Sequence, residues 1–280
     1  MTPTFALIHG ANGNSFTFAP LQRELALLGY RSLAVDLPGH GFEATFPAAY
    51  QAPQDAAAFA AAPAGIAATT LADCVEHVAG VLRRAKEHGP VVALAHSRGG
   101  LTLTALANAH PELVDRMVYM SAWCCVERTI GEYMERPEYA SSALGETGGV
   151  LAANPLELGA IRMNWRTADP ELLAALKRSM LEEGTDDEVL AFLSTLQPDD
   201  SLDAGGPEDV AQAGTWGRVP RTYIRLTRDL SMPLALQDLF IAEADALTPA
   251  NRFDVRSLDA AHVEPLIRPE GLAAVLASLA

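Results

Sequence analysis

Ser97 sits in the stretch Ala95-His96-Ser97-Arg98-Gly99, between two segments of opposite periodicity. The run Pro90 to Ala95 has the length and β-branched content of a buried strand, and Gly99 to Ala109 has helical spacing. Small residues stand two before and two after the serine, where a sharp strand-to-helix turn would bring larger side chains into collision. At such a turn the serine holds a strained backbone and an exposed Oγ, and the next backbone N–H faces the same space. The pattern is small-x-Ser-x-small, with Ala95 in place of the more usual glycine. It reads as a nucleophile elbow, whose chemistry is attack of a hydroxyl on an acyl carbon. The plainer alternative is a strand–helix turn that happens to contain a serine.

A serine hydroxyl is a poor nucleophile unless a base takes its proton and a carboxylate orients that base. The expected base is His262, in a loop directly after the last apolar strand, from which a side chain can reach across the strand ends to Ser97. A helix-capping or surface histidine is the alternative. His77, His88 and His110 lie on or at the ends of helices, His9 and His40 belong to early loops, and His96 packs or hydrogen-bonds beneath the turn. The expected acid is Asp229, after the strand Arg221–Leu226 and 33 positions before His262, which gives the chain order Ser…Asp…His. Glu127, after the strand that ends near Ser121, and Asp259, close to His262 in sequence, are its rivals. Acyl transfer also develops an oxyanion. Two backbone N–H groups aimed at it contribute roughly 3 kcal/mol each; the expected donors are those of Arg98 and of Ala11, in the loop His9-Gly10-Ala11.

These residues need a scaffold that brings strand ends together. Phe5–Ile8, Ser32–Leu37, Pro90–Ala95 and Leu113–Ser121 read as strands, and Phe16–Leu28, Leu71–His88 and Gly99–Ala109 as the helices between them. Strands alternating with helices at this spacing imply a parallel sheet covered on both faces. Residues 44–68 are Ala- and Pro-rich and read as a long loop with at most short helical turns. The rhythm breaks over residues 123–215, which carry helical periodicity (Pro170–Glu183, Asp186–Leu196) and no convincing strand. It resumes with Arg221–Leu226 (strand), Pro233–Ala244 (helix), Arg252–Ser257 (strand) and Pro265–Leu279 (helix). The expectation is therefore an α/β fold: a core of residues 1–122 and 216–280, with a mostly parallel sheet of about six strands, and a helical cap, 123–215, inserted in it. An insertion of this kind is how a lid is built over a catalytic face.

The chain has 280 residues, 49% of them hydrophobic and 20% charged, which suits a sizeable core and excludes disorder. A net charge of −15 argues against nucleic acid and against anionic membrane surfaces as partners. The odd, sparse set Cys74, Cys124 and Cys125 suggests a reducing compartment, and no Cys/His pair has zinc spacing. The first residues lack a basic start and a long apolar region, so they read as the first core strand and not a signal peptide; the expected location is cytoplasmic. The sequence is compatible with a homodimer.

Six stretches together resemble the α/β-hydrolase superfamily: Leu7-Ile8-His9-Gly10-Ala11, Val35-Asp36-Leu37-Pro38-Gly39-His40-Gly41, Ala95 to Gly100, Val118-Tyr119-Met120-Ser121-Ala122, Val219 to Asp229, and Asp259-Ala260-Ala261-His262. The nearer resemblance is to the branch of plant salicylate methyl esterases, polyneuridine aldehyde esterases and hydroxynitrile lyases, with its bacterial esterase relatives. It covers nearly all of the core and not the cap. It implies a Ser97–His262–Asp229 triad, an oxyanion hole from Ala11 and Arg98, a cap beginning after Ser121, and no metal or organic cofactor. Two departures bear on chemistry. Hydroxynitrile lyases typically carry Thr after the first-loop histidine and Lys after the catalytic one; here stand Gly10 and Val263. Arg98 replaces the more usual Leu, Met or Gln, so its charge needs an acid such as Glu43 or Asp55, or a carboxylate on the substrate.

The expected activity is hydrolysis of a carboxylic ester of a medium-sized small molecule, a methyl ester among the choices, through an acyl-enzyme. A lyase, a thioesterase or a C–C hydrolase could use the same triad, and a non-catalytic small-molecule receptor could keep the fold and pocket. Gly10, Trp123, Tyr133, Tyr139, Met163, Trp165 and Val263 are the residues expected to line the pocket, the aromatics having the alternative of forming the cap's own core.

Overall fold

In the computed structural model, which describes residues 2–280, the first half of the chain alternates as expected. Thr4–Ile8 (β1) is entirely buried; a 3₁₀ turn, Ser15–Phe18, leads into Ala19–Leu27 (α1), and Arg31–Val35 forms β2. The long loop contains a 3₁₀ turn, Ala48–Tyr50, and one short α-helix, Ala56–Ala61 (α2), whose N-terminus is capped by the Asp55 side chain. Leu71–Lys86 (α3) starts at a reciprocal capping pair, Thr70 and Asp73, and ends in Arg83, Arg84 and Lys86, charges that suit the two poles of the helix dipole. Val91–Ser97 (β3), Gly99–Ala109 (α4) and Arg116–Ala122 (β4) follow.

The segment between β4 and the next core strand holds Ile130–Met134 (α5), Pro155–Leu158 (α6), Ala160–Arg162 (β5), Pro170–Leu181 (α7), Asp186–Thr195 (α8) and Asp199–Ser201 (β6). The expectation of no strand here is corrected: β5 and β6 form an antiparallel pair. Strands of three residues are too short for alternation to register, and their charged residues, Arg162 and Asp199, hide the pattern. These two are buried opposite each other and bond twice, Nε to Oδ1 at 2.7 Å and Nη2 to Oδ2 at 2.6 Å. Arg162 also donates to the carbonyls of Phe59, Ala62 and Pro63, so the loop 44–68 is strapped to the inserted segment through one guanidinium.

The core resumes with Arg221–Leu226 (β7), Leu234–Leu247 (α9) and Asp254–Leu258 (β8). The single last helix expected is two, Glu264–Ile267 (α10) and Glu270–Ala277 (α11), because Pro269 cannot donate to the ladder.

The six core strands form one fully parallel sheet in the order β2-β1-β3-β4-β7-β8. One apolar cluster unites α3, α4 and α9 on one face; another unites α1, α10 and α11 with α7 and α8 on the other. The strand order reverses between β1 and β3, and the crevice outside the carboxyl ends of such strands is where open α/β sheets bind ligands. Ile8 pairs with Ala95 in register, and Leu226 with Leu258. The loops carrying His9 to Ala11, Ser97, Asp229 and His262 therefore leave one edge of the sheet together. Among the described residues no helix is long and apolar enough to cross a membrane.

Candidate active site

Ser97 ends β3 at φ +52°, a left-handed conformation that costs a non-glycine residue of order 1–3 kcal/mol. Two glycines make the turn possible. A Cβ on Gly99 would stand 2.4 Å from the His9 carbonyl oxygen, and one on Gly100 would stand 2.2 Å from that of Trp123. α4 therefore packs directly against the backbone of both neighbouring loops, and the serine is held at its tip.

His262, four residues beyond β8, places Nε2 3.0 Å from Ser97 Oγ. Its Nδ1 lies 2.6 Å from Asp229 Oδ2, three residues beyond β7. All three sequence-expected residues meet. Asp229 is buried, and its other oxygen accepts the backbone N–H groups of Ser231 (2.7 Å) and Met232 (2.8 Å). Oδ2 also accepts the Ser121 hydroxyl at 2.6 Å. The sequence reading missed Ser121, although a small polar residue at the carboxyl end of a strand adjoining β7 was the available signal. Neither rival acid comes near: Glu127 pairs with Arg128, and Asp259 with Arg228, both on exposed surface. His96 lies beneath, its Nε2 3.0 Å from the His262 carbonyl oxygen, so it steadies the loop that carries His262. Burial pushes the His96 imidazole well below its ordinary range and keeps it neutral.

The loop after β1 carries the other backbone N–H singled out in the sequence, that of Ala11. His9 Nδ1 lies 2.9 Å from the Gly10 carbonyl oxygen, which also accepts the Gly13 N–H at 3.1 Å. His9 Nε2 accepts the Leu37 N–H at 3.2 Å, which fixes the proton on Nδ1. Burial, aided by neighbouring His40, lowers the His9 pKa to about 4, so this tautomer persists at neutral pH. With the Gly10 oxygen drawn to one side, the planar trans peptide turns the Ala11 N–H to the other. Among the described residues neither the Ala11 nor the Arg98 N–H finds a protein acceptor.

Ser97, His262, Gly10 and Ala11 open onto a cavity of about 210 Å³. Trp165 and Val263 line it as expected, as does Met163. Trp123, Tyr133 and Tyr139 do not. Trp123 packs against Tyr139 and Phe240, and Tyr133 bonds Glu243, so these aromatics pack the start of the inserted segment against α9. Much of the remaining wall, Ile161, Met180, Phe192 and Leu196 among it, comes from the inserted segment, where periodicity shows an apolar face but not what it faces. Arg98 pairs with neither Glu43 nor Asp55. Its guanidinium donates to the Asp203 carbonyl oxygen at 2.6 Å. The three cysteines are free and buried, with thiols pushed upward by burial, and none is poised as a nucleophile.

Comparison with known proteins agrees with this architecture. The chain is 24% identical to a pyrethroid hydrolase of Sphingobium wenxiniae over 98% of its own length and 86% of that protein's. It superposes on the crystal structure of a pyrethroid hydrolase from Sphingobium faniae with a TM-score of 0.71 at 22% identity, covering 99% of this chain and 97% of that one. A polyneuridine aldehyde esterase superposes at 0.69 and 20% identity, covering 100% and 99%. Residues 5–275 match the sequence pattern of the alpha/beta hydrolase family from the first strand to the last helix, and with the parallel sheet this establishes that the chain belongs to that family.

Proposed function

We propose that the protein is a serine-dependent carboxylic ester hydrolase. The observation that carries this is the unbroken relay Ser97 Oγ–His262 Nε2, His262 Nδ1–Asp229 Oδ2, at 3.0 and 2.6 Å, opening on an apolar cavity. His262 takes the Ser97 proton as Oγ attacks the ester carbonyl, and Asp229 stabilises the imidazolium that forms. The Ala11 and Arg98 N–H groups receive the developing oxyanion. His262 returns the proton to the departing alcohol. Water, activated in turn by His262, then cleaves the acyl-enzyme and frees Ser97. The inserted segment acts as the cap that walls the substrate from solvent.

The cavity suits an uncharged, largely apolar ester of moderate size, since no Asp, Glu, Lys or Arg lines it among the described residues. Val263 follows His262 in the wall, where a lyase would need a polar or charged group for a cyanohydrin. The likeness to a pyrethroid hydrolase and to a polyneuridine aldehyde esterase supports hydrolysis over a receptor role. The buried free thiols support a reducing compartment, the cytoplasm.

The test is hydrolysis of short p-nitrophenyl esters by the wild type and by Ser97→Ala, with intact-mass detection of a fluorophosphonate adduct. The wild type should turn over and take one label. Ser97→Ala should fold, resist labelling and lose several orders of magnitude in turnover. Retention of more than about a tenth of the activity by the variant would remove Ser97 from the mechanism.

A further inference from the structure

The loop that presents Ala11 does not rest on the core sheet alone. Its next residue, Asn12, is buried at φ +54°, the second left-handed non-glycine residue beside this cavity. That conformation is held from the inserted segment. The Asn12 N–H donates to Asp200 Oδ2 at 2.7 Å, and its carboxamide donates to the carbonyls of Gln197 (3.0 Å) and Pro198 (3.1 Å). The Gln197 N–H donates back to the Asn12 carbonyl at 2.8 Å. Three residues past Asp200, the Asp203 carbonyl takes the Arg98 guanidinium at 2.6 Å. A single stretch, 197–203, thus grips both residues whose neighbourhood supplies an oxyanion donor.

We propose that Asp200 is a positioning residue for the oxyanion hole, and that the stretch 197–203 of the cap completes the hole when it seats on Asn12 and Arg98. This rests on the reading of Ser97 as an esterase nucleophile. Asp200 does not line the substrate cavity; it lies behind the loop, against a separate void of about 30 Å³ shared with His40 and Arg98. Burial alone would raise its carboxyl, but the Arg98 guanidinium and His40 hold it below the usual range, so it stays an acceptor. Its second oxygen takes the Ser201 N–H at 2.7 Å, which ties the grip to the backbone of β6. Without Asp200 the buried Asn12 N–H is unpaired, and only the bonds to Gln197 and Pro198 remain to hold the residue left-handed. The Ala11 N–H, one peptide earlier, is then aimed from the His9 and Gly13 side alone. Arg98, the residue that departs from the usual type at the elbow, acquires a role on this account: it fastens the cap to the nucleophile turn.

A donor that acts on the oxyanion acts on the transition state, so its misplacement lowers kcat and spares KM. The experiment measures kcat and KM for p-nitrophenyl butyrate, and Ki for a trifluoromethyl ketone that adds Ser97 and puts an oxyanion in the hole. Proteins are wild type, Ser97→Ala, Asp200→Ala, Asp200→Asn and Arg98→Met, each with its melting temperature. Asp200→Ala should lose about thirtyfold or more in kcat with KM within about threefold, and ketone affinity should fall by a similar factor. Asp200→Asn, one acceptor for two N–H groups, should lose less, and Arg98→Met about fivefold. A folded Asp200→Ala with kcat within twofold of wild type, or a loss confined to KM with ketone affinity unchanged, overturns the proposal. Should Asp200→Ala not fold, Asp200→Asn and Arg98→Met decide on the same readouts: normal kcat and ketone affinity in both overturn it. A wild type without Ser97-dependent turnover sinks the esterase reading and this inference with it. Variants that match an active wild type sink this inference alone.

Discussion

Ser121 Oγ donates to Asp229 Oδ2 at 2.6 Å, the same oxygen that His262 Nδ1 meets at 2.6 Å. Ser121 is fully buried and holds φ +37°, so its hydroxyl is aimed by the end of β4 and not by its own rotamer alone. With the Ser231 and Met232 N–H groups on Oδ1, both oxygens of the carboxylate are fixed before any substrate arrives.

Ser121→Ala should therefore fold, cost about 1 kcal/mol of stability, and lower kcat roughly tenfold at nearly constant KM, because the base is oriented less firmly. Steady-state kinetics and a denaturant titration check both. An unchanged kcat would mean that the two backbone donors suffice.

Asp229→Asn should cost on the order of 10⁴ in turnover, by presenting His262 with the wrong tautomer. Glu127→Gln and Asp259→Asn should stay within about twofold, since both carboxylates are exposed and engaged elsewhere. A large loss in either would show that the His262 partner exchanges in solution.

How much of this was legible in the sequence depended on range. The elbow, the Ser…Asp…His order and the core strands are local patterns, and β7 spans the residues its periodicity indicates. Asp200 was not legible and Ser121 only faintly so, by its place at the end of a strand: each acts through a partner more than 100 positions away, and a lone serine or aspartate has no periodicity to mark it. The aromatic residues Trp123, Tyr133 and Tyr139 misled for a related reason: composition shows that a segment has a large apolar face, and only packing shows that the face meets Phe240 and not the cavity.

Stability should fall on acidification. The unfolded chain takes a proton on each histidine near pH 6.5, whereas buried His9 resists until about 4. The native state then binds fewer protons than the unfolded state across that window. Its full advantage holds above pH 6.5 and is lost as pH falls towards 4, by about 3 kcal/mol for His9 alone. His96 acts in the same direction. Melting temperatures from pH 7.5 to 4.5 should decline, and His9→Asn should be less stable at pH 7 with a shallower decline. Equal slopes in the two proteins would exclude His9 as a contributor.

Arg162→Met removes one member of a fully buried pair and strands the Asp199 carboxylate along with three carbonyls of the loop 44–68. A loss of about 3–5 kcal/mol is expected. Limited proteolysis should cut first between residues 44 and 68, whose strap to β5 is gone. Adding Asp199→Leu should recover part of the stability, since an apolar pair leaves no uncompensated charge. A double variant no better than the single would place the defect in the loop carbonyls.

Charge should decide which esters are turned over. Arg98 has the right chemistry to select an acidic substrate, but its guanidinium is bound to the Asp203 carbonyl outside the cavity walls. A substrate carboxylate entering that cavity meets Met163, Phe192, Leu196 and Leu266 and no counter-charge. Desolvating an unpaired carboxylate costs several kcal/mol even after relaxation. The p-nitrophenyl ester of pentanoic acid should therefore exceed the p-nitrophenyl half-ester of glutaric acid in kcat/KM by about a hundredfold or more, and added salt should not close the gap. Arg98→Met should lower both values by the same factor and leave their ratio alone. A half-ester within tenfold of the neutral ester would refute the apolar site. A ratio that moves in Arg98→Met would return the guanidinium to the cavity and make it a specificity residue after all.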